Sequence, residues 1–266
     1  MLEITIGSAT DPGQEKTVNQ DYHAYHMPEN GPLNKKGILL ALADGMGGHG
    51  GGEIASKITV DTLMETYYND AFENVTEALT RGFLTANENV IAKQNEKLEL
   101  SRMGSTLTAV VINKNKIYYA HAGDSRGYLI YENDISQFTQ DDSFVASLVK
   151  AGVISEEEAL THPERHVITK AIGLDPELTV DASQIDRQIK KNLYILLCCD
   201  GLYCVVPDEI ILSTVIENRD PDVASEKLVA KANENGGPDN ITVLIARIDK
   251  VDLISSVTNK FLNLVR

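Results

Sequence analysis

Two apolar runs, Ile38–Ala43 and Leu193–Cys199, each lead directly into an Asp-Gly pair, Asp44-Gly45 and Asp200-Gly201. Runs this short cannot span a bilayer and suit buried strands. A buried strand that ends in a carboxylate places a charge where the sheet meets solvent. A third acid, Asp239 in Gly237-Pro238-Asp239-Asn240, stands immediately before a further strand pattern, Ile241–Ile248. Asp21 follows Asn19-Gln20 near the N-terminus, and Asp141 closes Phe138-Thr139-Gln140-Asp141. If these ends meet at one rim, four or five carboxylates share a small volume and raise one another's pKa values unless cations neutralise them. Oxygen-only donor sets of this kind select Mg²⁺ or Mn²⁺ over Zn²⁺, which recruits His or Cys. A single Asp-Gly is a common turn and carries no such meaning; the repetition at strand ends is what gives it weight.

The rest of the pattern constrains how the strands are connected. Thr106–Ile112, Ile117–His121 and Gly127–Tyr131 are β-branched or aromatic, with Asn113-Lys114-Asn115 and Glu132-Asn133-Asp134 as turns between strands. Helical spacing appears over Glu53–Tyr67, with Ile54, Ile58 and Leu63 on one face, and over Val75–Ile91. Ser155-Glu156-Glu157-Glu158 is a capping-box start, and Asp220-Pro221 opens a helix that Gly236-Gly237 ends. Clustered hairpins without strict βαβ alternation predict antiparallel sheet with helices outside, an α+β layered sandwich. The Gly-rich run Gly45–Gly52 reads as tight backbone geometry. Cys198 and Cys199 alternate along a buried strand and read as core, and three cysteines make no disulfide framework.

Composition narrows the function. With 24 Lys+Arg against 39 Asp+Glu, the formal charge is −15, which argues against nucleic acid as a partner. Met1-Leu2-Glu3 lacks the layout of a signal peptide, and with no membrane-length run the expectation is a cytoplasmic protein without a membrane partner.

Eight segments in order resemble the metal-dependent serine/threonine protein phosphatases of type 2C in their bacterial form. They are Val18–Asp21; Ala43–His49 with Gly52–Ser56; Met103–Thr106; Gly123–Arg126; Thr139–Asp141; His162–Gly173; Cys199–Leu202; and Gly237–Thr242. The resemblance implies a four-layer α/β/β/α sandwich of two antiparallel sheets, with the phosphatase domain over 1–249. It implies a binuclear Mn²⁺ or Mg²⁺ centre, two ions per chain. Asp44 would bridge both ions, the Gly45 carbonyl would bind the first, Asp200 and Asp239 the second, and Asp21 would act through water. A bridging water would attack phosphoserine or phosphothreonine in a protein substrate, in opposition to a cognate serine/threonine kinase. The expected state is a monomer.

The chain departs from the family pattern in three places. Lys16 stands where the family places a phosphate-gripping Arg, and a lysine binds phosphate as a point charge without a bidentate fork. Asp142 stands where His is common, and Cys204 where an acid is frequent, so a third ion on Asp141 and Asp200 is expected to be weak. His49 reads either as a general acid or as a residue that orders the Gly-rich loop, and His162 either as a substrate contact or as surface. Asp124 and Arg126 read as an ion pair or turn cap. Two other functions stay open: a phosphoprotein-binding module without turnover, and a two-metal hydrolase of small phosphoesters. Beyond the match, Leu253/Ile254, Val257, Phe261 and Leu264/Val265 predict an amphipathic helix over 250–266.

Overall fold

The computed structural model describes residues 2–28, 35–48, 51–69, 71 and 74–251. His49 and residues 252–266, which hold nearly all of the predicted C-terminal helix, lie outside the described residues.

The apolar runs do form strands, and the alternation along them explains why they are apolar on both faces. β3 (Ile38–Met46) turns Leu39, Ala41 and Ala43 toward helices, and Leu40 and Leu42 toward a second sheet. β10 (Tyr194–Cys198) does the same, with Leu196 and Cys198 on the helix side and Ile195 and Leu197 between the sheets. An antiparallel strand usually alternates apolar with polar because one face meets water; here neither face does.

One sheet has the order β1 (Glu3–Asp11), β11 (Ile241–Lys250), β10, β7 (Arg126–Tyr131) and β8 (Asp134–Gln137). The other runs β2 (Asp21–His26), β3, β5 (Leu107–Asn113), β6 (Lys116–Ala122) and β9 (Asp181–Ile185), with β4 (Gly104–Ser105) paired to the end of β3. Every pairing is antiparallel. Lys114 and Glu132, in the two predicted turns, take the left-handed conformation at φ 56°. Helices α1 (Gly51–Asn69) and α2 (Val75–Gln94) cover the second sheet. α5 (Asp200–Tyr203), α6 (Asp208–Glu217) and α7 (Pro221–Glu234) cover the first. The result is the expected α/β/β/α sandwich. Between β8 and β9 the chain forms α3 (Phe144–Lys150) and α4 (Glu156–Thr161), the latter on the predicted capping box. Among the described residues no helix is long and apolar enough to cross a membrane.

α1 starts at Gly51, inside the glycine run, and buries Ala55, Thr59, Val60 and Leu63, while Ile54 and Ile58 flank that face half-buried. The reason is close approach: a Cβ on Gly52 would stand 2.5 Å from the Gly45 carbonyl oxygen, so the first turns sit too near β3 for large side chains. Strands β1, β2 and β9 lacked a clear signal because they are edges, whose outer residues need not be apolar. Lys250 closes β11 opposite Glu3 and so belongs to the sheet.

Candidate active site

The two sheets deliver their acids to one rim. β2 pairs with β3 in a register that sets Asp21 directly opposite Asp44. β10 pairs with β11 so that Cys198 faces Val243, which puts Asp200 beside the start of β11 and hence near Asp239.

Local hydrogen bonds hold the backbone and leave the carboxylates to the site. The Asp44 N–H donates to Thr106 Oγ1 at 2.8 Å, and its carbonyl accepts from the Thr106 N–H at 2.8 Å and the Ser105 hydroxyl at 3.0 Å. Asn240 is the tie between segments. Its Oδ1 accepts the Gln20 N–H at 2.8 Å, and its Nδ2 donates to the carbonyls of Pro12 and Val18, each at 3.0 Å. Gly201 presses on the Asn240 carbonyl, where a Cβ would come within 2.0 Å. The loop before β2, the first turn of α5 and the start of β11 are therefore one packed unit.

The charges in this unit are unfavourable as they stand. Burial, against hydrogen bonds from Thr242 and Cys199 and with the fields of Asp200 and Asp239, pushes the Asp21 carboxyl up to about 7. Burial, then the charges of Asp21, Asp200, Asp124 and Asp239, hold Asp44 well above the carboxylate range. Asp200 is raised by burial and by Asp239. Asp21 accepts the Thr242 hydroxyl on Oδ2 at 2.7 Å, yet its Oδ1 is buried without a partner, as is Oδ1 of Asp200. Orphaned buried oxygens are costly. Two of them within a set of oxygen donors fit hard divalent cations. Among the described residues no three His, Cys, Asp or Glu side chains converge closely enough to hold an ion as placed. The fit rests on donor chemistry and on the orphaned oxygens.

The other predicted residues fall in different places. Lys16 reaches the rim, with its Nζ 3.0 Å from both Asp239 oxygens. Asp141 is engaged elsewhere: Arg126 Nη2 donates to it at 2.7 Å and Nε at 3.0 Å, and Gln137 at 2.8 Å. The partner of Arg126 is thus Asp141, and not Asp124 as the short spacing suggested. Asp124 is instead buried beside Asp200 and Asp141 and pushed up to about 7, first by burial and then by those charges. It is a fifth acid of the cluster that sequence reasoning missed. His162 caps α4, accepts the Glu164 N–H on Nδ1 at 3.1 Å, and lies against Phe144. The histidine of the segment between α4 and β9 whose field reaches Asp200 is His166. Cys204 is exposed at the end of α5.

The raised carboxyls of Asp21 and Asp124 make stability depend on pH when no metal is bound. Asp21 and Asp124 titrate higher folded than unfolded, so the folded state holds protons that the unfolded chain has released between about pH 4 and 7. Stability of metal-free protein should therefore fall as pH rises through that window, by roughly 5–10 °C in Tm between pH 5 and 8. Mn²⁺ should reverse the loss at pH 8. Thermal melts in EDTA and in Mn²⁺ test this, and a metal-free protein more stable at pH 8 than at pH 5 would contradict it.

The chain is similar to known proteins in both sequence and fold. The family model described as protein phosphatase 2C matches residues 13–220. The serine/threonine phosphatase stp of Listeria welshimeri is 33% identical over 241 residues, which cover 89% of this chain and 92% of that relative. The serine/threonine protein phosphatase PstP of Mycobacterium tuberculosis is 37% identical over 219 residues, 80% of this chain and 41% of PstP, so the match spans under half of that protein's length. The crystal structure of the PstP catalytic domain in complex with two manganese ions superposes with a TM-score of 0.79 at 33% identity, covering 94% of this chain and 100% of that one.

Proposed function

The chain belongs to the protein phosphatase 2C family, and we propose that it is a metal-dependent enzyme that hydrolyses phosphoserine and phosphothreonine in proteins. The observation that carries this is the rim of Asp21, Asp44, Asp200 and Asp239, with its two orphaned carboxylate oxygens. Asp44 and the Gly45 carbonyl would hold one ion, Asp44 with Asp200 and Asp239 the second, and Asp21 would bind through water. Two Mn²⁺ or Mg²⁺ ions there would cancel the carboxylate charge and supply an activated water at neutral pH.

The chain's own residues do the rest. Asp21 and Asp44, held opposite one another by the β2–β3 register, fix the acids to a rigid pair of strands instead of a loop. Lys16 offers the substrate phosphate a point charge from the loop that Asn240 anchors. His49 is assigned as proton donor to the leaving hydroxyl, and His162 as a contact to the substrate peptide. Asp141 would serve a third, weak ion only by giving up Arg126. The −15 chain repels phosphorylated substrates until cations reverse the local potential. The physiological setting that fits is a monomer in the cytoplasm, acting against a cognate serine/threonine kinase.

Phosphate release from a phosphothreonine peptide, measured beside a small aryl phosphate, tests the reading. Release should require Mn²⁺ or Mg²⁺, vanish in EDTA, and favour the peptide in kcat/KM. Undiminished activity in EDTA would overturn the metal-dependent mechanism. Turnover of the aryl phosphate alone would point to small phosphoesters, and peptide binding without release to a regulatory module.

A further inference from the structure

We propose that Lys16 is a built-in counter-ion of the metal centre: it sits on Asp239 in the metal-free chain and is displaced when a divalent ion is loaded there. The inference rests on the assignment of Asp239 as a metal ligand above. The Lys16 ammonium is 3.0 Å from Oδ1 and from Oδ2 of Asp239, straddling the carboxylate as a cation would. Among the described residues no other ion pair involves Asp21, Asp44, Asp200 or Asp239.

The contact is built by the fold. The Gln14 N–H donates to the Gly237 carbonyl at 2.7 Å, and Gly13, at φ +81°, lies so close to Asp239 that a Cβ would come 2.2 Å from its carbonyl oxygen. Asn240 holds the carbonyls of Pro12 and Val18 on either side. The backbone from which Lys16 springs is thus pinned to the backbone that carries Asp239, and only the long side chain is free to move.

Two consequences follow. An ion entering at Asp239 must compete with the ammonium, so Lys16 weakens metal binding at that position. Once the carboxylate charge is taken, the ammonium is repelled by the ion and released toward an incoming phosphate anion. Metal loading and phosphate binding are then coupled through one side chain, and the coupling is reciprocal. Because both partners are partly exposed, at 47% and 36%, the competition is modest, roughly 2- to 5-fold in affinity.

Calorimetric titration of the metal-free full chain with Mn²⁺ reads this without any turnover. Lys16→Gln should tighten one of the two sites by roughly 2- to 5-fold and leave the other unchanged, while Lys16→Arg, which keeps the charge, should not tighten either. On an Asp239→Asn background the effect of Lys16→Gln should disappear. Mn²⁺-loaded Lys16→Gln should also bind inorganic phosphate more weakly than loaded wild type. Equal tightening of both sites would mean a general field effect and would overturn displacement, as would unchanged or weaker Mn²⁺ binding in Lys16→Gln. A wild-type chain that binds no Mn²⁺ would instead overturn the metal centre, and this proposal with it.

Discussion

Asp44→Asn should lower turnover of a phosphothreonine peptide by roughly 10³-fold or more and, at pH 7.5, raise the Tm of the metal-free protein by a few degrees. Both effects have one cause. Asp44 is the acid on which the other charges converge, buried and raised by Asp21, Asp200, Asp124 and Asp239. Its backbone anchors, Thr106 and Ser105, bind the main chain and survive the substitution. An amide of the same shape therefore keeps the fold and removes like-charge repulsion, which is why stability should rise without metal. It also removes the charge proposed to hold both ions. Metal catalysis supplies several kcal/mol of transition-state stabilisation, and each 1.36 kcal/mol is about tenfold in rate. Steady-state kinetics and melts in EDTA decide the matter. Wild-type turnover would sink the assignment of Asp44, and a lower metal-free Tm would show that its charge is not a burden on the fold.

Gly45→Ala should be among the most destabilising single substitutions in the chain, costing about 3 kcal/mol or more, with a Tm loss of roughly 8–12 °C. The added Cβ would stand 2.1 Å from the Gly52 carbonyl oxygen and 2.5 Å from that of Gln20. Both are backbone atoms, so no rotamer change relieves the clash. The first turn of α1 or the loop before β2 would have to retreat, taking Asp21 out of register with Asp44. Mn²⁺ affinity should fall along with stability. Gly48→Ala is the matched control: nothing lies within 4 Å of its Cβ position, and its Tm should stay within about a degree of wild type. Equal melts for the two variants would show that the Gly45–Gly52 approach is not required.

The legible parts of the fold were those in which each residue's environment follows from its own neighbours. β3 and β10 declared themselves because both faces of each strand are buried, which forces an unbroken apolar run. α7 announced its ends through the Asp220 cap with Pro221 and the glycines beyond, and α4 through its capping box. The polar edges β2 and β9 gave no comparable signal, because their residues answer to solvent on one side.

For the site, the amino-acid sequence by itself determined which acids would stand at strand ends: Asp44, Asp200 and Asp239 each adjoin a strand signal that local chemistry explains. Partnership was decided only by the tertiary structure. Arg126 chose Asp141, fifteen residues on, over Asp124 two residues away, because Asp124 lies in the bend before β7 and is buried among the acids, while the segment after β8 returns to the start of β7, where the Phe138 N–H donates to the Gly127 carbonyl, and so brings Asp141 to Arg126. Asp124 joined the acid cluster and His166 came within reach of Asp200 through segments distant in sequence. Lys16 met Asp239 across more than two hundred residues, because Asn240 pins the two backbones together. Coulomb energy depends on distance in space, and distance in space is fixed only once the two sheets have stacked.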